Sequence, residues 1–255
     1  MSERTSYAEG TPNWVDLGTP DLEAAQQFYG DLLGWTFADS GEESGHYTMC
    51  LRDGLPVAAM APQRDPNDPT KWSTYLASDD ADRTAARITE AGGRLEAEPM
   101  DVFDQGRMLY AEDPTGAGFG VWQGKAHIGA RRVNEPGSFI WNEVHTRDAA
   151  ATDAFYAAVF DYEVEQMGDG VQFDYMLYKV GDQVIGGRNK LGDEKTPPGW
   201  LTYFAVDDPD SAVDAVRSGG GSVVTEPRDS EYGRMAVVAD PWGAVFAVIQ
   251  APKED

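Results

Sequence analysis

A chain of 255 residues has room for two domains of ordinary size, each able to bury a core. An apolar share of 41%, with seven Trp, eleven Tyr and ten Phe, argues against disorder, and the lone cysteine, Cys50, excludes an internal disulfide or a thiolate metal cage. Twenty basic against forty-four acidic residues leave a net charge of −24, which repels nucleic acid, anionic membranes and highly charged anionic substrates, since Arg131-Arg132 is the only tight basic pair.

The opening MSERTSYAEGTPN carries neither a basic nor an apolar leader region, and no later apolar run approaches the ~18–20 residues that cross a bilayer. A cytoplasmic protein is expected. The stretch 13-NWVDLGTPDLEAAQQFYGDLLGW-35 reads as strand, cap, helix and stop. Thr19 followed by Pro20 suits an N-cap with Pro at the first helical position, and Asp21 favours the first turn. Leu22, Ala25, Tyr29 and Leu32 recur at helical spacing, and Gly34 can adopt the left-handed conformation that ends a helix. Strand-like runs follow in 46-HYTMCLRDGLPVAAM-60, then a polar loop over 61–71. The segment 72-WSTYLASDDADRTAARITEAGGR-94 repeats the plan, with Ser78 or Asp79 as cap and Gly92-Gly93 as stop. Two further strands, 107-RMLYAE-112 and 117-AGFGVWQ-123, are joined by Asp113-Pro114-Thr115-Gly116, which has the residues a type I turn prefers.

The rest of the chain is a second copy. Trp14, Thr19, Asp21, Phe28 and Tyr29 return as Trp141, Thr146, Asp148, Phe155 and Tyr156, a shift of 127. WSTYLASDDAD returns as 200-WLTYFAVDDPD-210, and GRMLYAEDPTGAGFGVWQ as 233-GRMAVVADPWGAVFAVIQ-250, with the second turn at Asp240-Pro241-Trp242-Gly243. The division expected is a tail over 1–12, a first domain over 13–124, a linker over 125–137 and a second domain over 138–251. Each domain then holds two strand–helix–strand–strand–strand units. This is an α+β architecture in which paired units form a curved mixed sheet around a cup able to take a ligand. Because duplication already pairs the domains, a monomer is expected.

The residues WVDLGTPDLEAAQQFYGDLLGW, TYLASDDAD…AGG and EDPTGAGFGVW, with their second copies, resemble the vicinal oxygen chelate superfamily. That group contains glyoxalase I, extradiol dioxygenases and bleomycin- and fosfomycin-resistance proteins. The likeness runs from Asn13 to Gln250 and is to the tandem-domain type common in actinobacteria, often labelled glyoxalases or hydroxylases. It implies two tandem glyoxalase-like domains. It also implies relatives that assist aromatic polyketide antibiotic pathways, and a divalent metal held by His, Gln or Glu in catalytic members. The matching positions here are Trp14 and Trp141, Ser73 and Leu201, and Gly120 and Ala247, none of which suits such a cation. No cofactor is therefore expected. Glu143 and His145, two apart on one strand face, are the alternative metal pair.

An indole in place of a metal ligand turns a site that polarises oxygen into one that stacks rings. The expected ligand-binding residues are Trp14, Asp16, Tyr75, Trp122, Trp141, Glu143, His145 and Tyr203, with Gly120 and Ala247 leaving room. Asp16 and Glu143 would stand near the mouth, where they could pair with an amine or accept a hydroxyl proton, and are the candidate general bases. The remaining histidines, His46 and His127, read as surface or satisfied groups, Arg107 and Arg234 as sheet-edge charges, and Cys50 as a small core residue.

The first functional reading is a metal-free protein that binds a planar aromatic or polyketide-like small molecule for sequestration, resistance or antibiotic tailoring, with a tailoring enzyme as a candidate partner. A ligand of ~20 heavy atoms at ~0.3 kcal/mol per atom would bind with roughly 6 kcal/mol, or tens of micromolar. The alternatives are a metal-dependent lyase or oxidoreductase of the glyoxalase or dioxygenase type, a metal-free isomerase or hydroxylase-like enzyme, and a protein-interaction scaffold.

Overall fold

The computed structural model describes residues 3–251. In chain order the first half comprises β1 (Pro12–Thr19), α1 (Leu22–Leu33), β2 (Thr36–Asp39), β3 (Thr48–Arg52), β4 (Leu55–Pro62), β5 (Lys71–Ala77), α2 (Ala81–Glu90), β6 (Arg94–Val102), β7 (Gly106–Glu112) and β8 (Gly118–Gly124). The second repeats it as β9 (Phe139–Thr146), α3 (Ala149–Phe160), β10 (Glu163–Met167), β11 (Tyr175–Val180), β12 (Gln183–Lys190), β13 (Gly199–Ala205), α4 (Pro209–Ser218), β14 (Ser222–Ser230), β15 (Gly233–Ala239) and β16 (Val245–Gln250).

Among the described residues each half forms one eight-stranded mixed sheet, ordered β2-β3-β4-β1-β5-β8-β7-β6 in the first and β10-β11-β12-β9-β13-β16-β15-β14 in the second. The first strand of each unit runs parallel to its last, β1 beside β4 and β5 beside β8, and the two units join through the antiparallel pair β1–β5. The fold is thus the tandem α+β arrangement of paired units, two open curved sheets.

The helices are capped by aspartates, though two residues later than the Thr-Pro reading places them. Asp21 Oδ1 accepts from Ala24 N at 3.0 Å, while Thr19 ends β1 and its hydroxyl meets the Asp21 backbone. Asp80, not Ser78 or Asp79, caps α2 by accepting from Arg83 N at 3.1 Å; Ser78 Oγ instead accepts from Asp80 N. A carboxylate one residue before the first turn offers the orphan amides a charged acceptor, which explains the choice. Gly34 closes α1 in the left-handed region, at φ 68°. The hairpin between β3 and β4 turns on Asp53 and Gly54, both at positive φ, the Asp-Gly chemistry such a turn requires.

The helix faces are buried by both halves at once. Phe28 and Tyr29 of α1 lie in one cluster with Ala212, Val213 and Val216 of α4 and Phe246 of β16; Phe155, Tyr156 and Val159 of α3 lie in another with Ala85 and Ile88 of α2 and Phe119 of β8. Phe155 packs where Gly93 has no side chain, and Phe28 does the same at Gly219, so these glycines are contact surfaces as well as helix stops. Polar ties cross the same boundary. Tyr29 OH donates to Asp240 Oδ2 at 3.1 Å and accepts from Trp72 Nε1 at 3.0 Å; Trp35 Nε1 donates to Gly137 O at 2.6 Å. At the centre Thr74 and Thr202 both donate to Asn142 Oδ1, at 3.1 and 2.9 Å. The sheets therefore meet through their backs, and the concave faces look outward.

Tyr29→Phe removes a donor from the buried Asp240 carboxylate and an acceptor from the Trp72 indole. Tyr156→Phe deprives only the Trp200 indole, whose N–H donates to Tyr156 OH at 2.9 Å. The first substitution should cost about 2–3 kcal/mol in urea unfolding and the second about 1 kcal/mol. Equal losses would contradict the asymmetry.

Candidate functional site

Strand side chains alternate, so the residues that do not face the helices line the cups. In the first cup Trp14 stands opposite Tyr75, Tyr75 beside Gly120, and Gly120 opposite Tyr110. One row along, Asp16 lies between Ser73 and Ala59, and Met49 faces Ala59. In the second cup the same rows read Trp141, Tyr203, Ala247 and Val237, then Leu201, Glu143, Gly187 and Leu177. A third row there contains His145 between Gly199 and Asn189.

Each cup is organised around one buried carboxylate. Asp16 and Glu143 are only 8% and 5% exposed, on the floor rather than near the mouth. Asp16 Oδ2 accepts from Tyr75 OH at 2.7 Å and Tyr47 OH at 3.1 Å, and Tyr47 OH accepts from Trp14 Nε1 at 2.8 Å. Tyr75 OH also meets Tyr110 OH. Glu143 is held in parallel fashion. Its Oε1 accepts from Tyr203 OH at 2.9 Å and its Oε2 from Tyr175 OH at 2.6 Å, and Tyr175 OH accepts from Trp141 Nε1 at 2.9 Å. Tyr47 and Tyr175 were not singled out from sequence. The available signal was that both return at the shift of 128 that the second unit shows.

The cups then diverge. Position 18 is Gly in the first, whereas His145 in the second places Nε2 2.7 Å from Glu143 Oε1. Burial pushes the Asp16 carboxyl up to about 6 against the pull of its tyrosine hydroxyls. Burial acts on Glu143 too, but the hydrogen bond and charge of His145, with Tyr175 and Tyr203, outweigh it and hold this carboxyl below its ordinary value.

Access differs as well. Trp14, Tyr75 and Trp122 are 2%, 4% and 6% exposed. The room expected above Gly120 is filled by the Tyr75 ring, into which any Cβ there would run. His127, read as a surface or satisfied group, is neither. The linker brings it edge-on to Trp14, with ring centroids 4.4 Å apart, and against Trp122, whose Nε1 donates to His127 O at 2.8 Å. Its Nε2 is buried with no partner among the described residues, and burial holds the imidazole down at about 4. The linker thus seals the Trp14 end. In the second cup Trp141, Ile140, Met235 and Val237 remain half-buried around Leu201, Tyr203, Ala247 and Ile249. Beyond them Phe173, 50% exposed, stacks on Tyr175 with rings 11° from parallel.

The other chemical side chains lie elsewhere. His46 is exposed and paired with Asp39, Arg107 and Arg234 pair with Asp82 and Asp210, and Cys50 is buried in the core, where burial raises its thiol.

The family model described as Glyoxalase/Bleomycin resistance protein/Dioxygenase superfamily matches residues 11–121 and 139–248. The Mycobacterium tuberculosis (strain CDC 1551 / Oshkosh) protein named "Putative glyoxylase CFP32" is 40% identical over 261 residues, covering 100% of both chains. The "Anthracycline biosynthesis protein DnrV" of Streptomyces peucetius is 38% identical over 265 residues, 96% of this chain and 95% of that one. Among solved structures, the Mn(II)-bound glyoxalase from Novosphingobium aromaticivorans superposes with a TM-score of 0.68 at 18% identity, covering 98% of this chain and 83% of that one. The 2,3-dioxygenase LapB from Pseudomonas sp. KL28 gives 0.66 at 13% identity, covering 98% and 95%. These two likenesses show the fold alone.

A divalent metal does not fit the residues present. The matched positions hold Trp, Ser, Leu, Gly and Ala, and among the described residues no three His, Cys, Asp or Glu side chains converge. The pair Glu143 and His145 does not rescue the site, because three donors already occupy the carboxylate and the imidazole Nε2 points at it.

Asp16 supplies a pH test. The folded protein keeps this proton up to about pH 6, whereas an unfolded Asp loses it near 3.8, so the folded state holds more protons between those values. Stability should therefore fall as pH rises through that window, by about 3 kcal/mol from this group. Asp16→Asn, neutral throughout, should lack that slope, which then appears in full in the difference between wild-type and variant unfolding curves.

Proposed function

Since the chain belongs to the Glyoxalase/Bleomycin resistance protein/Dioxygenase superfamily, we propose that it is a metal-free binding protein whose second cup takes a planar aromatic, polyketide-like ligand. The observation carrying this is the half-buried Trp141 over an apolar floor, with Phe173 and Tyr175 extending a stacked aromatic surface outward. Such faces add about 0.5–1.5 kcal/mol each beyond the area they bury. The hydroxyls of Tyr175 and Tyr203 and the imidazole of His145 ring the floor as polar contacts that orient a ligand. The net charge of −24 disfavours anionic competitors.

The relatives named for anthracycline biosynthesis, DnrV and DauV of Streptomyces, support a ligand of fused aromatic rings and a role in sequestering such a molecule or presenting it to a tailoring enzyme. A cytoplasmic site of action accords with this role, and no helix among the described residues is long and apolar enough to cross a membrane. In the first cup Trp14, Tyr75 and Trp122 act as packing. A metal-dependent lyase or dioxygenase is disfavoured by the donor set, and stoichiometric Zn, Fe, Ni or Mn bound at Glu143 and His145 in protein prepared without chelators would reverse that ranking.

Titration with a hydroxyanthraquinone, followed by its visible band, tests the assignment. Trp141→Ala should weaken binding roughly tenfold, equivalent to about 1.4 kcal/mol. Trp14→Ala should leave the affinity unchanged but lower the unfolding free energy by about 3–5 kcal/mol. Loss of binding on the Trp14 change in a folded protein, with none on the Trp141 change, would move the site to the other cup.

A further inference from the structure

The second cup holds an imidazole with one nitrogen committed and one free. Glu143 is ionised at neutral pH and can only accept, so the 2.7 Å contact from His145 Nε2 to Oε1 requires the proton on Nε2. When the imidazole carries a single proton, its lone pair is then on Nδ1, which has no partner among the described residues. Space adjoins it. Gly199 is the cross-strand partner of His145, and a Cβ built there would meet nothing within 4 Å. The other register neighbour, Asn189, does not titrate. Among the charged groups on the surrounding elements, Arg228 of β14 carries a charge felt at Tyr203, while Asp174 and Arg147 are engaged elsewhere. Asp174 pairs with Arg188 and Lys190, and Arg147 donates to the carbonyls of Asp193, Glu194 and Thr196. The first cup has no equivalent, with Gly18 at this position and Lys71 opposite it.

We infer that the second cup is a proton-transfer site, in which His145 Nδ1 accepts the proton of an acidic phenolic or enolic hydroxyl on the planar ligand. This rests on the reading of that cup as an aromatic site. In the step the ligand O–H bond breaks, its electron pair stays on the oxygen, and an N–H bond forms at Nδ1. The imidazolium is stabilised by the Glu143 carboxylate, whose position Tyr175 and Tyr203 fix. No oxidant or reductant is needed. The product is a bound phenolate or enolate, the electron-rich form that a subsequent oxygenation or alkylation of the ring consumes. His145 would touch the reacting hydroxyl; Glu143 is a positioning residue.

The test uses 1,2-dihydroxyanthraquinone, whose visible band shifts to long wavelength on ionisation, and its dimethyl ether, which has no proton to lose. Bound to wild-type protein, the dihydroxy probe should ionise at least about one pH unit lower than in water, a tenfold shift. His145→Gln should abolish that shift at probe concentrations that saturate it. Glu143→Gln should diminish the shift, and ¹⁵N imidazole resonances of the unliganded wild-type protein should show the Nε2–H tautomer. If neither probe binds wild-type protein, the aromatic-site reading itself fails. If both bind but the hydroxyl titrates as in water, or identically in the His145→Gln variant, the proton-transfer assignment is overturned and the binding reading stands.

Discussion

Keeping a carboxylate inside an apolar, aromatic hollow is the constraint around which both cups are built. Removing such a group from water is costly unless its oxygens find donors. Here the donors are tyrosine hydroxyls brought from neighbouring strands, Tyr47 and Tyr75 to Asp16 and Tyr175 and Tyr203 to Glu143. Each indole then hydrogen-bonds the first of these tyrosines. The large rings at the start of β1 and β9 are therefore oriented by a polar network as much as by packing. Burial pushes both acids up, and at Glu143 the imidazole of His145, where the first cup has Gly18, is the largest of the influences that hold it down instead.

The duplication is more than two beads on a string. Each helix face is buried by sheet and helix residues of the other half as well as its own, and the buried ties at Tyr29–Asp240 and Thr74–Asn142 cross the boundary. Fixing the backs of the sheets in this way leaves the concave faces free of structural duty toward each other.

Much of this architecture is legible in the chain. The shift of 127–128 residues exposes the duplication, Gly34 marks a helix end, and alternation puts Trp14 with Asp16 and Trp141 with Glu143 and His145 on one face. What escaped depends on contacts remote in sequence. Tyr47 and Asp16 are 31 residues apart, so nothing local marks the tyrosine as a partner. The capping role of Asp21 and Asp80 over the preceding Thr19 and Ser78 is settled by where the strand stops, which propensity fixes only to within a residue or two. Gly120 reads as vacancy from sequence, yet the ring of Tyr75, its register partner on the adjoining strand, fills it. His127 looks like linker yet is half-buried against Trp14 and Trp122, in a stretch where Gly124 and Gly129 let the backbone run close against its surroundings.

The sealing of the first cup by His127 has a consequence for how such a molecule diversifies. Recognition surfaces are inherently poorly stabilised, because exposed rings and underused hydrogen-bonding groups contribute less to folding than buried ones. A twin whose hollow is packed shut supplies cohesion that its sibling does not, through a helix layer they hold in common. Substitutions around the half-buried Trp141 can then be tolerated against a reserve held on the opposite side of the protein, a latitude that a single cup standing alone would lack.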